Sequence, residues 1–494
     1  MSAKQIRDDG DAQPAGDSHR LIDGMCADAR VENRAIAARL AKIGELFDMR
    51  LAERGEEKDC AVDTWAAVGA EVAAALRCSR AMASSYIHYA VSLRDALPKV
   101  ASVFSAGDID FRTVQAIVYR TALIEGEDKI AVVDQKLAMR APRWGSRSDS
   151  RLAAAIDRSV RHVDGDAVRR KRERFSKREI NISDIDDGLY SVSGSVFAAD
   201  GKTLDQRLDA LANTVCEADP RTRKERRADA LGALAFGHQR LSCRCGEANC
   251  PAGGPVKPSH VTIHIVAEKE AVDGESPAPG YLAEDGALIP AEMVAQLARE
   301  AKLRPVVSPV DAPPEPGYRP SQKLADFVRC RDLTCRAPGC DVPAFQCDID
   351  HTIPYRDGGL THASNLKCEC RTHHLLKTFW GWRDKQLPDG TVIWTLPSGQ
   401  TYVTLPGSAF VFPTLCAPTG ELPPPDPKRA DREGDPRVMM PRRKTTRAEN
   451  RAKYLAAERA RNVKLRQACR KAWEEVYFPT PSPTDGDDDD PPPF

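Results

Sequence analysis

This chain of 494 residues has no net charge, because 72 lysines and arginines are cancelled by 72 aspartates and glutamates. The total therefore points to no class of partner, and only the distribution of charge along the chain is informative. No apolar run approaches the ~18 residues that a membrane-spanning helix needs, so no membrane partner is expected. The opening stretch MSAKQIRDDGDAQPAGDSHR has no apolar segment of the kind a secretory signal carries. There is no strong internal repeat. Together these absences lead to the expectation of a cytoplasmic protein.

Cysteine is what the chain has in plenty: fifteen, in a chain that is 41% apolar and 29% charged. In a reducing compartment, clustered cysteines suggest metal or chemistry rather than disulfide bridges. The length suits two to four domains.

Composition divides the chain as follows. Residues 1–26 are rich in Asp, Gly, Pro and Ser and are expected to be disordered. Residues 27–303 form an N-terminal domain, mostly helical with a small sheet. Ile36, Leu40, Ile43 and Phe47 share one helix face. Residues 63–98 read as two helices joined near Cys78-Ser79, and Asp110 as the N-cap of the next. Strand-like alternation follows at 188–197 and 261–268. Residues 304–322 are a Pro-rich linker, and 323–383 hold the densest cysteines and histidines. Two alternating runs around Pro397-Ser398-Gly399 make 384–410 a β-hairpin extension. Residues 411–445 are a second linker. Thr446 and Glu449 form a capping box for a basic helix over 446–478, and 479–494 are an acidic disordered tail. The fold class expected is α+β, mostly α.

The stretch CDIDHTIPYRDGGLTHASNLKCECRTHHLLK, from Cys347 to Lys377, carries the chemistry. Cys335 and Cys340 form one ligand pair, and Cys370 and His373 form another about thirty residues on. Two such pairs suit a closed tetrahedral zinc site, which is structural. Cys330, Cys347 and Cys368 are alternatives for one ligand, and scattered reduced thiols are the plain alternative. Asp350, His351, Asn365 and His374 remain. Phosphodiester hydrolysis needs a base that is neutral near pH 7 and a cation on the scissile phosphate. Asp350 and His374 could hold that cation, with Mg²⁺ or Mn²⁺ as candidates. His351, adjacent to Asp350 on an extended segment, would face the other way and could act as the base. Asn365 could brace the loop between them, and Asp357-Gly358-Gly359 permits its tight turn.

Asp350-His351, Gly358-Gly359, Asn365-Leu366, Cys370, His374 and Lys377 resemble the HNH nuclease motif, whose fold is a ββα-metal finger. His373 stands where zinc-containing members commonly have a cysteine, and the first ligand pair is wider than usual. The helical N-terminal half, DLTCRAPGC and WTLPSGQTYVTLPGS are similar to the actinobacterial 13E12-repeat proteins, which carry domain of unknown function 222 before a C-terminal HNH unit. The likeness covers most of residues 30–410. It implies a zinc-stapled ββα finger acting as a metal-dependent DNA endonuclease, associated with a mobile genetic element. On that reading His351 and Asn365 are catalytic, Asp350 and His374 hold the catalytic metal, and Arg371 and Lys377 touch phosphate. The other reading is a zinc-dependent DNA-binding protein without cleavage.

Three further signals stay open. Residues 71–93 could be a helix-turn-helix, with Arg80, Ser84 and Ser85 facing a groove, or a plain helical hairpin; the hairpin is favoured because a small-residue-rich pair packs closely either way, and the turn also lacks Gly. Cys243, Cys245 and Cys250 could hold a second zinc with His238 or His260, or form a metal-free reduced loop. The basic runs at 168–178, 221–227 and 437–471 could neutralise phosphates or be solvated helix faces. The 437–471 region is the strongest candidate for reaching DNA, and Asp487–Asp490 could compete for it. Self-association through the N-terminal domain is an open expectation.

Overall fold

Side-chain caps written in the sequence set the first helices. Asp63 accepts from the Ala66 amide at 2.8 Å, Ser79 from Met82 at 3.2 Å and Asp110 from Thr113 at 2.8 Å. In the computed structural model the helices are α1 (Gln13–Arg54), α2 (Thr64–Leu76), α3 (Arg80–Asp95), α4 (Pro98–Ser105), α5 (Phe111–Thr121), α6 (Glu127–Arg140) and α7 (Asp149–Arg161). The structure describes residues 13–477 apart from 57–58, 145–146, 170–177, 186–187, 248, 253–261, 285, 300 and 425–439. Helix α1 starts at Gln13, so the disorder expected through residue 26 does not hold from there on. Residues 17–32 of this helix are exposed, so no apolar periodicity marks it there.

Two compact units divide the chain: residues 1–171 with 436–494, and residues 172–435. The segment expected as one N-terminal domain, 27–303, is shared between them.

The first unit is helical. Leu40 and Ile43 of α1 join Val68, Ile87, Phe104, Ile117, Leu137 and Ile156 in one buried core, and Ile36 and Phe47 pack against it. Helices α2 and α3 turn at Arg77, which is left-handed at φ 51°. The Trp65 indole donates to Ser84 Oγ at 2.8 Å, turning Ser84 toward α2 as a hairpin residue. Helix α15 (Arg447–Tyr477) completes this unit, with the Thr446–Glu449 capping box formed. Arg443 and Arg447 bind Asp63, Arg459 binds Asp164, and the buried Asn462 donates to the carbonyls of Asp166 and Val168. Its basic face is therefore partly spent inside the unit, not presented on a loose tail. Asp487–Asp490 and most of the 168–178 run lie outside the described residues.

The second unit begins with the antiparallel pair β1 (Glu179–Asp184) and β2 (Tyr190–Ser195), then α8 (Ala198–Ala212) and α9 (Arg223–Ala235). The basic run 221–227 is neutralised locally: Arg221 binds Asp219 and Asp229, and Arg227 binds Asp205 and Asp209. A small sheet joins β3 (Ile265–Val266), β4 (Gly280–Leu282) and β5 (Leu288–Ile289), with α10 (Lys269–Val272) and α11 (Ala291–Ala298) beside it in sequence. Helix α12 (Gln322–Asp332) leads into β6 (Asp348–His351), β7 (Leu366–Glu369) and α13 (Arg371–Phe379). Strands β8 (Arg383–Gln386), β9 (Val392–Thr395) and β10 (Thr401–Thr404) form an antiparallel sheet, and α14 (Ser408–Val411) follows. The expected hairpin is β9–β10; β8 adds a third strand.

Two buried arginines fasten the ββα segment. Arg331 donates to the carbonyls of Ala363 and Leu366 at 2.8 and 2.7 Å. Arg336 donates to the carbonyls of Gly390, Thr404 and Leu405. The Pro-rich segment expected as a spacer folds back instead. Glu315 pairs with Thr361 as an antiparallel bridge, and Glu315 accepts from Ser321.

Candidate functional site

Strands β6 and β7 pair antiparallel, with Asp350 opposite Lys367 and His351 opposite Leu366. Side chains alternate along a strand, so Asp348 and Asp350 lie on one face of β6 and His351 on the other. On α13, His374 and Lys377 are three residues apart on one helix face, which meets the aspartates. His374 Nδ1 lies 3.1 Å from Asp348 Oδ2, and its Nε2 lies 3.5 Å from Asp350 Oδ1. With Nδ1–H given to Asp348, the Nε2 lone pair faces a carboxylate oxygen. A carboxylate–histidine pair of this kind orients a metal ligand, and the two facing atoms suit a hard or borderline cation. Asp348 was not legible as a partner from spacing alone.

The other oxygen of Asp350 is already engaged. Lys377 Nζ donates to it at 2.6 Å and Lys367 Nζ at 3.3 Å. Burial works to raise this carboxyl, but the two ammonium groups outweigh it and hold it below the usual carboxylate range. Lys377 also donates to the carbonyls of His351 and Thr352, at 2.7 and 3.2 Å. An ammonium has three hydrogens, and those of Lys377 are directed inward to these acceptors. Arg371, the other residue expected at phosphate, is largely exposed, 3.5 Å from Asp348.

Lys367 is fully buried among three carboxylates: Asp350, Glu369 at 2.9 Å and Asp384 at 2.5 Å. Lys377 reaches Asp384 as well, at 3.2 Å. Two cations thus meet three acids. Burial pushes the odd one, Glu369, up to about 7. Nothing in the sequence periodicity marked this network, because its members come from β6, β7, α13 and β8.

His351 is buried beneath Tyr318, whose ring stacks on it at 5.3 Å and 15°. Its Nε2 lies 2.9 Å from Thr361 Oγ1. The Thr361 hydroxyl donates to the Gly317 carbonyl at 2.6 Å. A hydroxyl has one hydrogen, so Thr361 accepts from His351 Nε2–H, and the basic lone pair is on Nδ1. Burial lowers this imidazole to about 4, which keeps it neutral at pH 7.

Asn365 ties the β6–β7 loop at three points. Its Oδ1 accepts from the Ile353 amide at 2.8 Å, and its Nδ2 donates to the carbonyls of Ile353 and Leu360 at 3.1 and 2.9 Å. Gly358 turns the loop at φ +90°. Gly359 passes so close that a Cβ there would lie 1.8 Å from the Ile353 oxygen.

Behind α13, the ligand atoms of Cys335, Cys340, Cys370 and His373 lie within 4.8 Å of one another, a group that could hold a metal ion. Cys340 and Cys370 are 3.9 Å apart, and His373 Nδ1 is 3.5 Å from Cys335 and 3.3 Å from Cys370. Zinc bond lengths put tetrahedral edges at ~3.8 Å between sulfurs and ~3.6 Å between sulfur and nitrogen, so the donor set fits. The Cys370 amide donates to Cys335 Sγ at 3.3 Å. Of the thiols weighed as substitutes, Cys347 lies against Cys335 and the Val342 carbonyl, Cys368 points to the Val328 carbonyl, and Cys330 packs in an apolar cluster.

Cys243, Cys245 and Cys250 also converge, and the fourth member of their group is Cys216 rather than His238. His260 lies outside the described residues. Cys216 stands too far upstream for spacing to reveal it. Among the described residues, no helix is long and apolar enough to cross a membrane.

The chain is similar to mycobacterial proteins. It is 44% identical over 477 residues to the uncharacterized protein Rv2100 of Mycobacterium tuberculosis (strain ATCC 25618 / H37Rv), covering 88% of this chain and 86% of that protein. It is 44% identical over 460 residues to the uncharacterized protein Rv3776 of the same strain, covering 87% and 88%. Uncharacterized protein Rv1128c is more distant, 24% identical over 305 residues, covering 59% and 66%. No solved structure matches. Residues 27–332 match the family model described as "Domain of unknown function (DUF222)", and the chain belongs to that family.

Proposed function

We propose that this chain is a metal-dependent endonuclease of the HNH type, hydrolysing phosphodiester bonds in DNA, in a 13E12-repeat protein associated with a mobile element. The observation that carries the reading is the pairing of a buried, neutral His351 with Asp350 and His374 on the opposite face of one ββα unit. His351 Nδ1 takes the proton of the attacking water. Asp350 and His374 would hold Mg²⁺ or Mn²⁺, with Asp348 orienting His374, and an ion bound there would supply charge stabilisation at the scissile phosphate. Asn365 fixes the loop that follows His351, and Cys335, Cys340, Cys370 and His373 would hold structural zinc.

Two observations favour a second reading, a zinc-dependent DNA-binding protein without cleavage. Lys377 and Lys367 already neutralise Asp350, and Tyr318 covers His351. A supercoiled-plasmid assay run beside a gel shift separates the two. Nicking that requires Mg²⁺ or Mn²⁺ supports the nuclease. Salt-sensitive gel shifts without nicking, from zinc-loaded protein, would support the binder and sink the nuclease.

A further inference from the structure

We infer that Cys216, Cys243, Cys245 and Cys250 form a second structural zinc centre, a tetrathiolate site separate from the Cys3His group and independent of the nuclease reading. The four sulfurs lie within 4.8 Å of one another, and Cys216 Sγ is 3.4 Å from Cys243 Sγ. That separation is far from a disulfide's ~2.05 Å and near the edge of a zinc tetrahedron.

The chain brings Cys216 to the Cys243–Cys250 loop through contacts on both sides of the sulfurs. Before them, the Leu241 amide donates to Thr214 Oγ1 at 2.9 Å. After Cys216, Asp219 is buried and accepts from the Arg244 amide at 2.9 Å, and Arg221 donates to the Ser242 carbonyl at 2.7 Å. Asp219 and Arg221 also bind each other, at 2.7 Å. The two segments are thus stitched in register by bonds that do not involve sulfur, with the thiols aimed at one point.

Gly246, at φ +75°, makes the turn after Cys245. Four soft thiolates in a closed shell select zinc over hard cations. The site would clamp the end of α8 to the loop after α9, a region whose own buried core among the described residues is small: Leu211, Ala212, Ala230, Ala233 and Leu241. All four thiols are half-buried, whereas Cys335 and Cys370 are buried.

Metal analysis of the full chain, purified under reducing conditions, tests this. The expected content is about two zinc ions per chain, falling to about one in Cys216→Ser and also to about one in Cys340→Ser. One zinc in the wild type, unchanged by Cys216→Ser, would overturn the inference; iron in place of the second zinc would overturn the metal assignment. Alkylation of the wild type covers the case in which Cys216→Ser does not fold. With zinc bound, Cys216, Cys243, Cys245 and Cys250 are expected to resist iodoacetamide as one block and to become reactive together on chelation. Independent reaction of any one, or disulfides among them in the reduced preparation, would overturn the site.

Discussion

Replacing Asn365 should open the loop between β6 and β7 without removing either metal group. Its amide makes three bonds to buried or half-buried backbone, at 2.8, 3.1 and 2.9 Å, and the side chain is 2% exposed. A net value of ~0.5–1.5 kcal/mol per bond makes Asn365→Ala cost the loop roughly 2–4 kcal/mol. Asn365→Asp keeps the volume but turns both donated bonds into oxygen facing oxygen, so it should cost at least as much. A chain with two compact units is not expected to melt in one step, so local hydrogen exchange is the sharper assay. The amides of Ile353 and Gly359, the latter bonded to the Pro354 carbonyl at 3.0 Å, should lose roughly 30- to 1000-fold of their protection. Zinc content should stay unchanged. Protection in Asn365→Ala within ~3-fold of wild type, or full protection in Asn365→Asp, would refute this account of the loop.

The remaining expectations follow from the same geometry. His351 has a folded pKa of about 4 against an ordinary 6.5, so the unfolded chain binds more protons between those values. Its contribution to stability is complete above pH 6.5 and is lost as pH falls toward 4. An imidazole titration of His351 near 6.5, followed by NMR, would contradict the burial argument. Gly359→Ala places a Cβ 1.8 Å from the Ile353 oxygen and should cost more than ~3 kcal/mol; wild-type exchange protection in that variant would show that the loop can yield. Lys367→Met strands three buried acids with one cation and should destabilise the finger by ~3–5 kcal/mol. Adding Glu369→Gln should recover part of that loss in a double-mutant cycle, and strict additivity would dissolve the proposed network.

Much of the local structure was legible because it rests on short-range chemistry. Asp110 and Thr446 announce helix starts through hydrogen bonds that span three residues. The ligand pairs Cys335–Cys340 and Cys370–His373 are legible for the same reason, since each sits within one turn or one helical step. What was hidden depends on pairing over long distances. Cys216 meets Cys243 across 27 residues, and Asp384 of β8 meets Lys367 of β7. The Pro-rich segment read as a spacer because its composition suits an extended chain. An extended chain can equally lie along a folded surface, and Tyr318, Gly317 and Glu315 do so over His351 and Thr361. Lys377 was legible as charge, but not as the inward donor to Asp350, Asp384 and the His351 and Thr352 carbonyls. The basic run at Arg221–Arg227 was likewise legible as charge but not as ion pairs, because its acids come from α8, the preceding turn and the later part of α9.

The central claim is that His351 is a base. The most direct measurement is plasmid nicking by the full chain and by His351→Ala, in Mg²⁺ or Mn²⁺, at matched zinc content and matched DNA binding. Wild-type nicking that His351→Ala abolishes, with zinc and DNA binding intact, is the expected result. Equal nicking by both proteins, or no nicking by wild type under conditions where it is folded, zinc-loaded and bound to DNA, would contradict it.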